Sequence, residues 1–457
     1  MEMGRELNMR TAKARSNSAL DVAAVAKGIE SVPYAQAAEL LSPHENDGDL
    51  ALKSCQVHED HPARVVVVCE PGLQKQMGAL HPAAALYERF VNLEASVSEH
   101  ATFRDTLRKR GIKVLTVREI LRHGLDNNLR CRLDLEDLAM GFLTYQGDAG
   151  PGDKTPTSRG KLEENLKEHV SDSYKRLVLE NMSADQLIDV ILTKPTVTVK
   201  PSYRDTGFTA SYEFEPLTNL IFTRDQQITT AKGVVMASLR SSQRQHEIKV
   251  MRFCFQKLGI TVLGQVDPPG YLEGGDFFPA GEDLCFVGVG LRSNELAVFQ
   301  LMEKDYFGTR RVAIVKDLYE KDQDRMHLDC VFSILSQDCV LMLEDMMGEE
   351  SPTRRLVDEY TRGDDGAYTK SRENVEFSSY LRDQGYNIIT VTGEEQLQYA
   401  CNVVNLGESC ILSCHAPTAR KICRSKHFSG TMEFLPYSAI TAMYGALHCS
   451  TQVVMRS

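Results

Sequence analysis

Near the end of the chain, Gly445-Ala446-Leu447-His448-Cys449-Ser450-Thr451 sets a histidine–cysteine pair between small residues. A cysteine there is a nucleophile if a base or a cationic environment makes it a thiolate; otherwise it is one more small buried hydrophobe. Gly445 and Ala446 leave room for the close backbone approach that a pocket floor requires. Tyr444 to Met455 is too apolar for a loose tail, so this end should be tied down.

Three upstream stretches carry groups that such a thiol would need. Phe222-Thr223-Arg224-Asp225 follows Pro216-Leu217-Thr218-Asn219 and is expected to end a strand, where Asp225 can receive a guanidinium through paired charge-assisted hydrogen bonds. The competing reading is a turn-capping aspartate with Arg224 as its structural partner. Tyr271-Leu272-Glu273-Gly274-Gly275-Asp276 places two acids around a glycine pair, either facing one cavity or forming a surface turn. His327-Leu328-Asp329, read as extended, sends its first and third side chains to one face, as general base and substrate anchor. A buried histidine satisfied by its neighbour is the bland alternative. A metal site is weaker still, because no second ligand pair has usable spacing.

Together these residue types fit one reaction. The central carbon of a guanidinium is unreactive because resonance spreads the charge over three nitrogens. Carboxylates can hold those nitrogens in plane while a thiolate attacks perpendicular to it. A histidine then protonates the departing ammonia and later deprotonates water.

The ordered series FTRD, EGGD, HLD and a C-terminal HC followed by Ser-Thr resembles the arginine deiminases, over about Ala63 to the C-terminus. The resemblance implies an α/β fold of the pentein type, a five-bladed pseudo-symmetric propeller with a helical insertion and no metal or organic cofactor. It implies Cys449 as nucleophile, His327 with Glu273 as acid/base pair, and Asp225 and Asp329 as the guanidinium clamp. Asn219, Phe222, Arg244 and Arg292 match substrate-binding positions. Tyr444 stands where family pockets commonly carry arginine. The implied reaction is L-arginine to L-citrulline and ammonia. Phe222-Thr-Arg-Asp-Gln-Gln227 and Ser241-Ser-Gln-Arg-Gln245 also resemble arginine dihydrolases, which continue to ornithine, and Asn92 resembles an asparagine of those enzymes. An amidinotransferase shares the covalent chemistry, and a catalytically dead binding module is the non-enzyme alternative.

The elements that must position these groups read as follows. Ala63 to Cys69 is a buried strand, Asn92 to Gly111 a helix, and Ile112 to Val117 the next strand. About 118–195 reads as a helical insertion, with helices over Leu162–Val178 and Ser183–Leu192 and a loop over Gln146–Gly160. Short strands are then expected at Leu220–Phe222, Gly233–Met236, Ile260–Leu263, Leu284–Val287, Arg311–Val315, Cys339–Met342, Tyr386–Val391 and Cys410–Ser413. Helices are expected at Ser242–Leu258 and Asn294–Phe307. Gly111, Gly259 and Gly385 each lead a strand after a helix, which hints at a repeated unit. Residues 1–60 read as a poorly ordered extension and 61–457 as the catalytic domain; basic residues between Met9 and Lys27 faintly suggest an organelle transit peptide. Otherwise the expected location is the cytoplasm.

Composition agrees with this reading. The chain has 457 residues, 42% hydrophobic and 25% charged, as in ordinary globular proteins. A net charge of −11 denies nucleic acid the basic surface it needs. Twelve cysteines without a CxxC pair suit a reducing compartment. No apolar run approaches the roughly 20 residues of a membrane span. The expected partner is a small molecule, and assembly into a homo-oligomer stays open.

Overall fold

The computed structural model describes residues 54–148, 165–202 and 207–457. Within them the fold is mixed α/β and dominated by one recurring unit. β1 (Ala63–Val68) lies between β20 (Gln452–Arg456), antiparallel to it, and β2 (Lys113–Thr116), parallel to it. The same order recurs in β6 (Gln227–Thr229), β7 (Val234–Met236) and β8 (Val262–Gln265). It recurs in β9 (Phe277–Pro279), β10 (Leu284–Val289) and β11 (Arg311–Lys316). There the hairpin of β14 (Leu356–Arg362) and β15 (Tyr368–Glu376) extends the sheet beyond β11. The fourth unit is β12 (Phe332–Ile334), β13 (Cys339–Leu343) and β16 (Asn387–Val391), and the fifth β17 (Val404–Asn405), β18 (Cys410–Ser413) and β19 (Thr431–Phe434).

The parallel step in each unit needs a crossover, because parallel neighbours cannot be joined by a tight turn. A helix occupies it every time: Leu93–Lys109, Gln245–Lys257, Glu295–Glu303, Phe377–Asp383 and Ala416–Arg424. Gly111, Gly259 and Gly385 stop three of these helices at positive φ, where a side chain would be strained. The glycine spacing noticed in the sequence is therefore the mark of this unit. The central strands β1, β7, β10 and β13 are apolar and almost wholly buried, as strands covered on both faces must be.

Several expectations are corrected. Leu220–Phe222 is a turn, closed by Phe222 N–H donating to Asn219 O at 3.0 Å; three buried apolar residues are too short a run to specify a strand. The 118–195 region holds the helices Val117–Arg122, Leu129–Met140, Asp172–Glu180 and Ala184–Thr193. The last of them has the expected Ser183–Gln186 capping box. The region also feeds a sheet that was not expected, β3 (Thr144–Gly147), β4 (Pro195–Ser202) and β5 (Gly207–Phe214). Ser171 caps a fresh helix start, so Leu162–Val178 is not one helix. Its first residues, the 149–160 part of the expected loop and residues 1–53 of the expected extension lie outside the described residues. No helix among the described residues is long and apolar enough to cross a membrane.

Residues ahead of β1 are also bonded into the fold. Gln56 N–H donates to Thr230 O at 2.9 Å, and Glu59 pairs with Arg456 of β20 at 2.5 Å, both side chains being buried. Burial alone would raise the Glu59 pKa; Arg456 and Arg224 outweigh it and hold the carboxyl below the ordinary range. Arg456→Met should therefore destabilise the fold by about 3 kcal/mol or more, since one buried charge loses its partner. Urea denaturation at neutral pH measures this, and an unchanged midpoint would dismiss the pair as a clamp. Because the folded pKa is depressed, the stability Glu59 contributes is present at neutral pH and is lost as pH falls through its folded value.

Candidate active site

The site is assembled from turns that precede the first strands of the units. Phe222 to Asp225 does not end a strand, as expected from sequence, but leads into β6. Glu273 enters a single 3-10 turn, Gly274–Asp276, before β9. His327 enters another, Leu328–Cys330, before β12. His327 and Asp329 do meet on one side, but through this turn and not through strand alternation. Cys449 sits three residues before β20.

These turns are bonded to one another. Arg224 N–H donates to Cys449 O at 3.1 Å, and Gly274 N–H to Asp225 O at 3.2 Å. A Cβ on Gly274 would lie 2.0 Å from Arg224 O, and one on Gly445 would lie 2.3 Å from the Phe222 ring. Both glycines are required by close approach, not by unusual backbone angles.

Asn219, Phe222, Asp225, Arg244, Arg292, His327 and Cys449 line one open cavity. Glu273 and Asp329 stand directly behind this lining. His327 Nε2 lies 2.7 Å from Glu273 Oε2, and its Nδ1 lies 3.9 Å from Asp225 Oδ1 and 4.0 Å from Asp329 Oδ1. Burial alone would lower the His327 pKa; Asp225, Glu273 and Asp276 outweigh it and raise it well above the ordinary value. The imidazole is thus held as a cation. Glu273 is correspondingly depressed: burial opposes this, but His327, Arg244 and Arg292 prevail.

Cys449 Sγ lies 3.4 Å from Asp329 Oδ2, which also accepts from His448 Nδ1 at 2.9 Å. Burial, then Asp329 and Asp225, push the thiol well above its ordinary value. Asp225 Oδ2 accepts from Arg244 Nη1 at 2.8 Å, whereas its Oδ1 is buried without a hydrogen-bond partner. Arg244 is shared with Glu247, at 2.9 Å. Arg292 donates to Gln323 Oε1 at 3.1 Å and keeps a buried, unpartnered Nε. Among the described residues, Asp225, Glu273 and His327 bring three ligand atoms within 4.8 Å.

Not every expected residue joins the site. Asn92 caps the helix Leu93–Lys109, its Oδ1 accepting from Ala95 N–H at 3.0 Å, as asparagine commonly does at a helix start. It lies outside the cavity lining. Asp276 faces inward, holding Leu328 N–H and the Ser293 hydroxyl at 2.8 and 2.6 Å. Sequence reasoning missed Glu247, Gln323 and Asn402, whose amide lies 3.1 Å from Cys449 Sγ. Glu247, three residues after Arg244 at helical spacing, was the one findable signal.

The arginine deiminase family profile matches residues 84–456, most of the chain. The chain belongs to the arginine deiminase family. It is 26% identical to the arginine deiminase of Halobacterium salinarum over 340 residues, covering 57% of this chain and 69% of that protein. It is 22% identical to a Staphylococcus aureus arginine deiminase over 355 residues, 74% of this chain and 78% of the relative. Among solved structures, a dimethylarginine dimethylaminohydrolase from Pseudomonas aeruginosa with citrulline aligns at 13% identity and TM-score 0.46, over 85% of this chain and 98% of that one. The N-terminal domain of a cyanobacterial arginine dihydrolase aligns at 18% identity and TM-score 0.40, over 69% and 97%. The resemblance read from the four motifs thus holds at the level of the arginine deiminase family.

The raised thiol pKa yields a direct expectation. In the free enzyme, Cys449 should react slowly with iodoacetamide at neutral pH and faster as pH rises past 9. A small guanidinium cation at a non-denaturing concentration should speed the reaction at fixed pH, by screening Asp225 and Asp329. Rapid, pH-independent alkylation of the free enzyme would contradict this electrostatic picture.

Proposed function

We propose that this protein is an arginine deiminase, hydrolysing L-arginine to L-citrulline and ammonia, on a five-bladed pentein propeller. Its five sheet units form the blades, and the 118–195 region is an insertion in a catalytic domain. The observation that carries the reading is the Asp225 carboxylate, whose Oδ1 is buried without a hydrogen-bond partner, in the lining of a cavity that also holds Cys449 and His327. A buried carboxylate oxygen without a donor is costly, and a planar cationic substrate supplies what it lacks.

In this mechanism Asp225 and Asp329 receive the guanidinium. Its positive charge offsets the two carboxylates that hold the thiol protonated, so the substrate helps to form its own nucleophile. As the guanidinium binds, the Cys449 thiol gives up its proton to solvent; the thiolate bonds to the guanidinium carbon, and the resulting tetrahedral adduct expels ammonia, which takes its proton from His327. Neutral His327 then removes a proton from water. The water oxygen bonds to the amidino carbon, the carbon–sulfur bond breaks, the remaining hydroxyl proton passes to the departing sulfur, and citrulline leaves with the Cys449 thiol restored. Glu273 keeps the imidazole oriented and its proton available through both halves. Arg292, whose counterpart is the neutral Gln323, is the better placed cation for the substrate carboxylate; Arg244 is already countered by Asp225 and Glu247.

Cys449→Ala should abolish ammonia release while leaving arginine binding measurable. Asp225→Asn should lower kcat/KM by about two orders of magnitude, taking about 3 kcal/mol for a broken buried charge pair. Mass spectrometry of the products decides the reaction: one ammonia with citrulline fits the deiminase, and two with ornithine would replace it with a dihydrolase. Arg292→Ala should raise KM for arginine while leaving turnover of agmatine, which lacks the carboxylate, nearly unchanged. Equal loss for both substrates would remove Arg292 from that role.

A further inference from the structure

Four of the five units deliver a reactive or charged side chain from the turn before their first strand. Asp225 precedes β6, Glu273 precedes β9, His327 and Asp329 precede β12, and Cys449 precedes β20. The corresponding turn of the remaining unit ends two residues before β17 and holds Asn402, which is 1% exposed.

Asn402 is pinned in one orientation. Its Oδ1 accepts from the backbone N–H groups of His448 and Cys449, at 3.1 and 3.3 Å. Backbone N–H groups cannot accept, so the carbonyl end is assigned and the NH₂ end faces the other way. Nδ2 then donates to Asp329 O at 3.3 Å and to Cys449 Sγ at 3.1 Å, the latter a short approach for sulfur. One amide therefore ties the nucleophile's turn to the turn that carries the carboxylate against it.

We propose that Asn402 is the positioning residue for the Cys449 thiolate, supplying a neutral donor where the flanking groups are anionic; the catalytic part of this proposal rests on the deiminase reading above. Asp329 and Asp225 disfavour charge on sulfur, whereas an N–H donor favours it without adding a cation that would repel the substrate. The same donor fixes the sulfur while the carbon–sulfur bond forms and holds the thiolate as it is released. His448 and Cys449 keep their main-chain N–H groups satisfied throughout.

Two variants and one spectroscopic measurement test this. Asn402→Asp keeps an acceptor for both main-chain N–H groups and removes the donor. Asn402→Ala removes both and adds no charge. Each should alkylate at Cys449 with iodoacetamide roughly tenfold or more slowly at a fixed pH, with the pH profile displaced upward. Each should lose kcat by a comparable factor with little change in KM, while thermal melting reports folding separately. If the alanine variant folds and alkylates like wild type, the proposal fails, even if the aspartate variant is slow through its added charge. Should the alanine variant not fold, the wild-type protein decides: the ¹⁵N-labelled Asn402 side-chain amide proton should move downfield as the Cys449 thiol ionises, and an unmoved signal overturns the assignment. Alkylation and amide shift need no substrate. Active turnover with an unchanged alkylation profile would therefore sink only the Asn402 role. A shifted profile in an enzyme that leaves arginine intact would sink only the deiminase reading.

Discussion

Asp225, Glu273 and Asp329 bury three carboxylates around one imidazole, and most of the surrounding structure can be read as the means of keeping them there. Like charges in a dry interior repel strongly and each one forfeits its hydration, so none can stay ionised without a counter-group. His327 answers all three. Arg244 answers Asp225 and is itself steadied by Glu247, to which Gln226 also donates at 2.7 Å. Asp329 is met by His448, whose ring stacks on Phe278 at 5.2 Å. Below them Arg224 faces Glu59, and Glu59 holds Arg456. Arg224, Glu59 and Arg456 thus alternate in charge from beneath the site to the seam where β1 and β20 pair.

Such a network draws on residues far apart in the chain, and the repeated unit makes that possible. Each unit presents the short turn before its first strand at the same end of its sheet order. A polar group placed there reaches the site without changing the buried strands. Binding groups on loops over a rigid scaffold are a general solution, and here the loops are short and mutually bonded, so they share the rigidity of the strands.

How much of this was legible in the sequence follows from which signals are local. The strands at 63–68, 234–236, 284–289, 311–316, 339–343, 387–391 and 410–413 were visible as apolar runs closed by turn residues. The motif residues were visible because their side-chain chemistry is unusual for their composition. What was not visible is tertiary. Leu220–Phe222 looks like a strand because burial, not pairing, selects its residues. Asn92 and Asn402 are the same residue type with opposite fates: one caps a helix at the surface, the other grips the nucleophile's turn, and only the fold distinguishes them. Glu59 and Arg456 lie almost at opposite ends of the described chain, so no spacing rule could pair them. β4 and β5 were missed because β5 is largely exposed and shows no buried face.

The pairing of β1 with β20 has a consequence for how the molecule comes into being. Ser54 Oγ donates to Val454 O across 400 positions of sequence, so the two strands are made far apart in time. During that interval β1 can engage β2 on one side, while the other edge of its Val65-Val66-Val67-Val68 run stays open to any extended chain. Contacts of such long sequence separation form late, because the loop they close is costly to order. The polypeptide therefore passes through a stage in which a hydrophobic edge is displayed and the thiol that completes the site is not yet in place. Nascent chains of this protein are most exposed to mispairing and aggregation before the last strand arrives, and chemistry begins only once that strand has shut the edge.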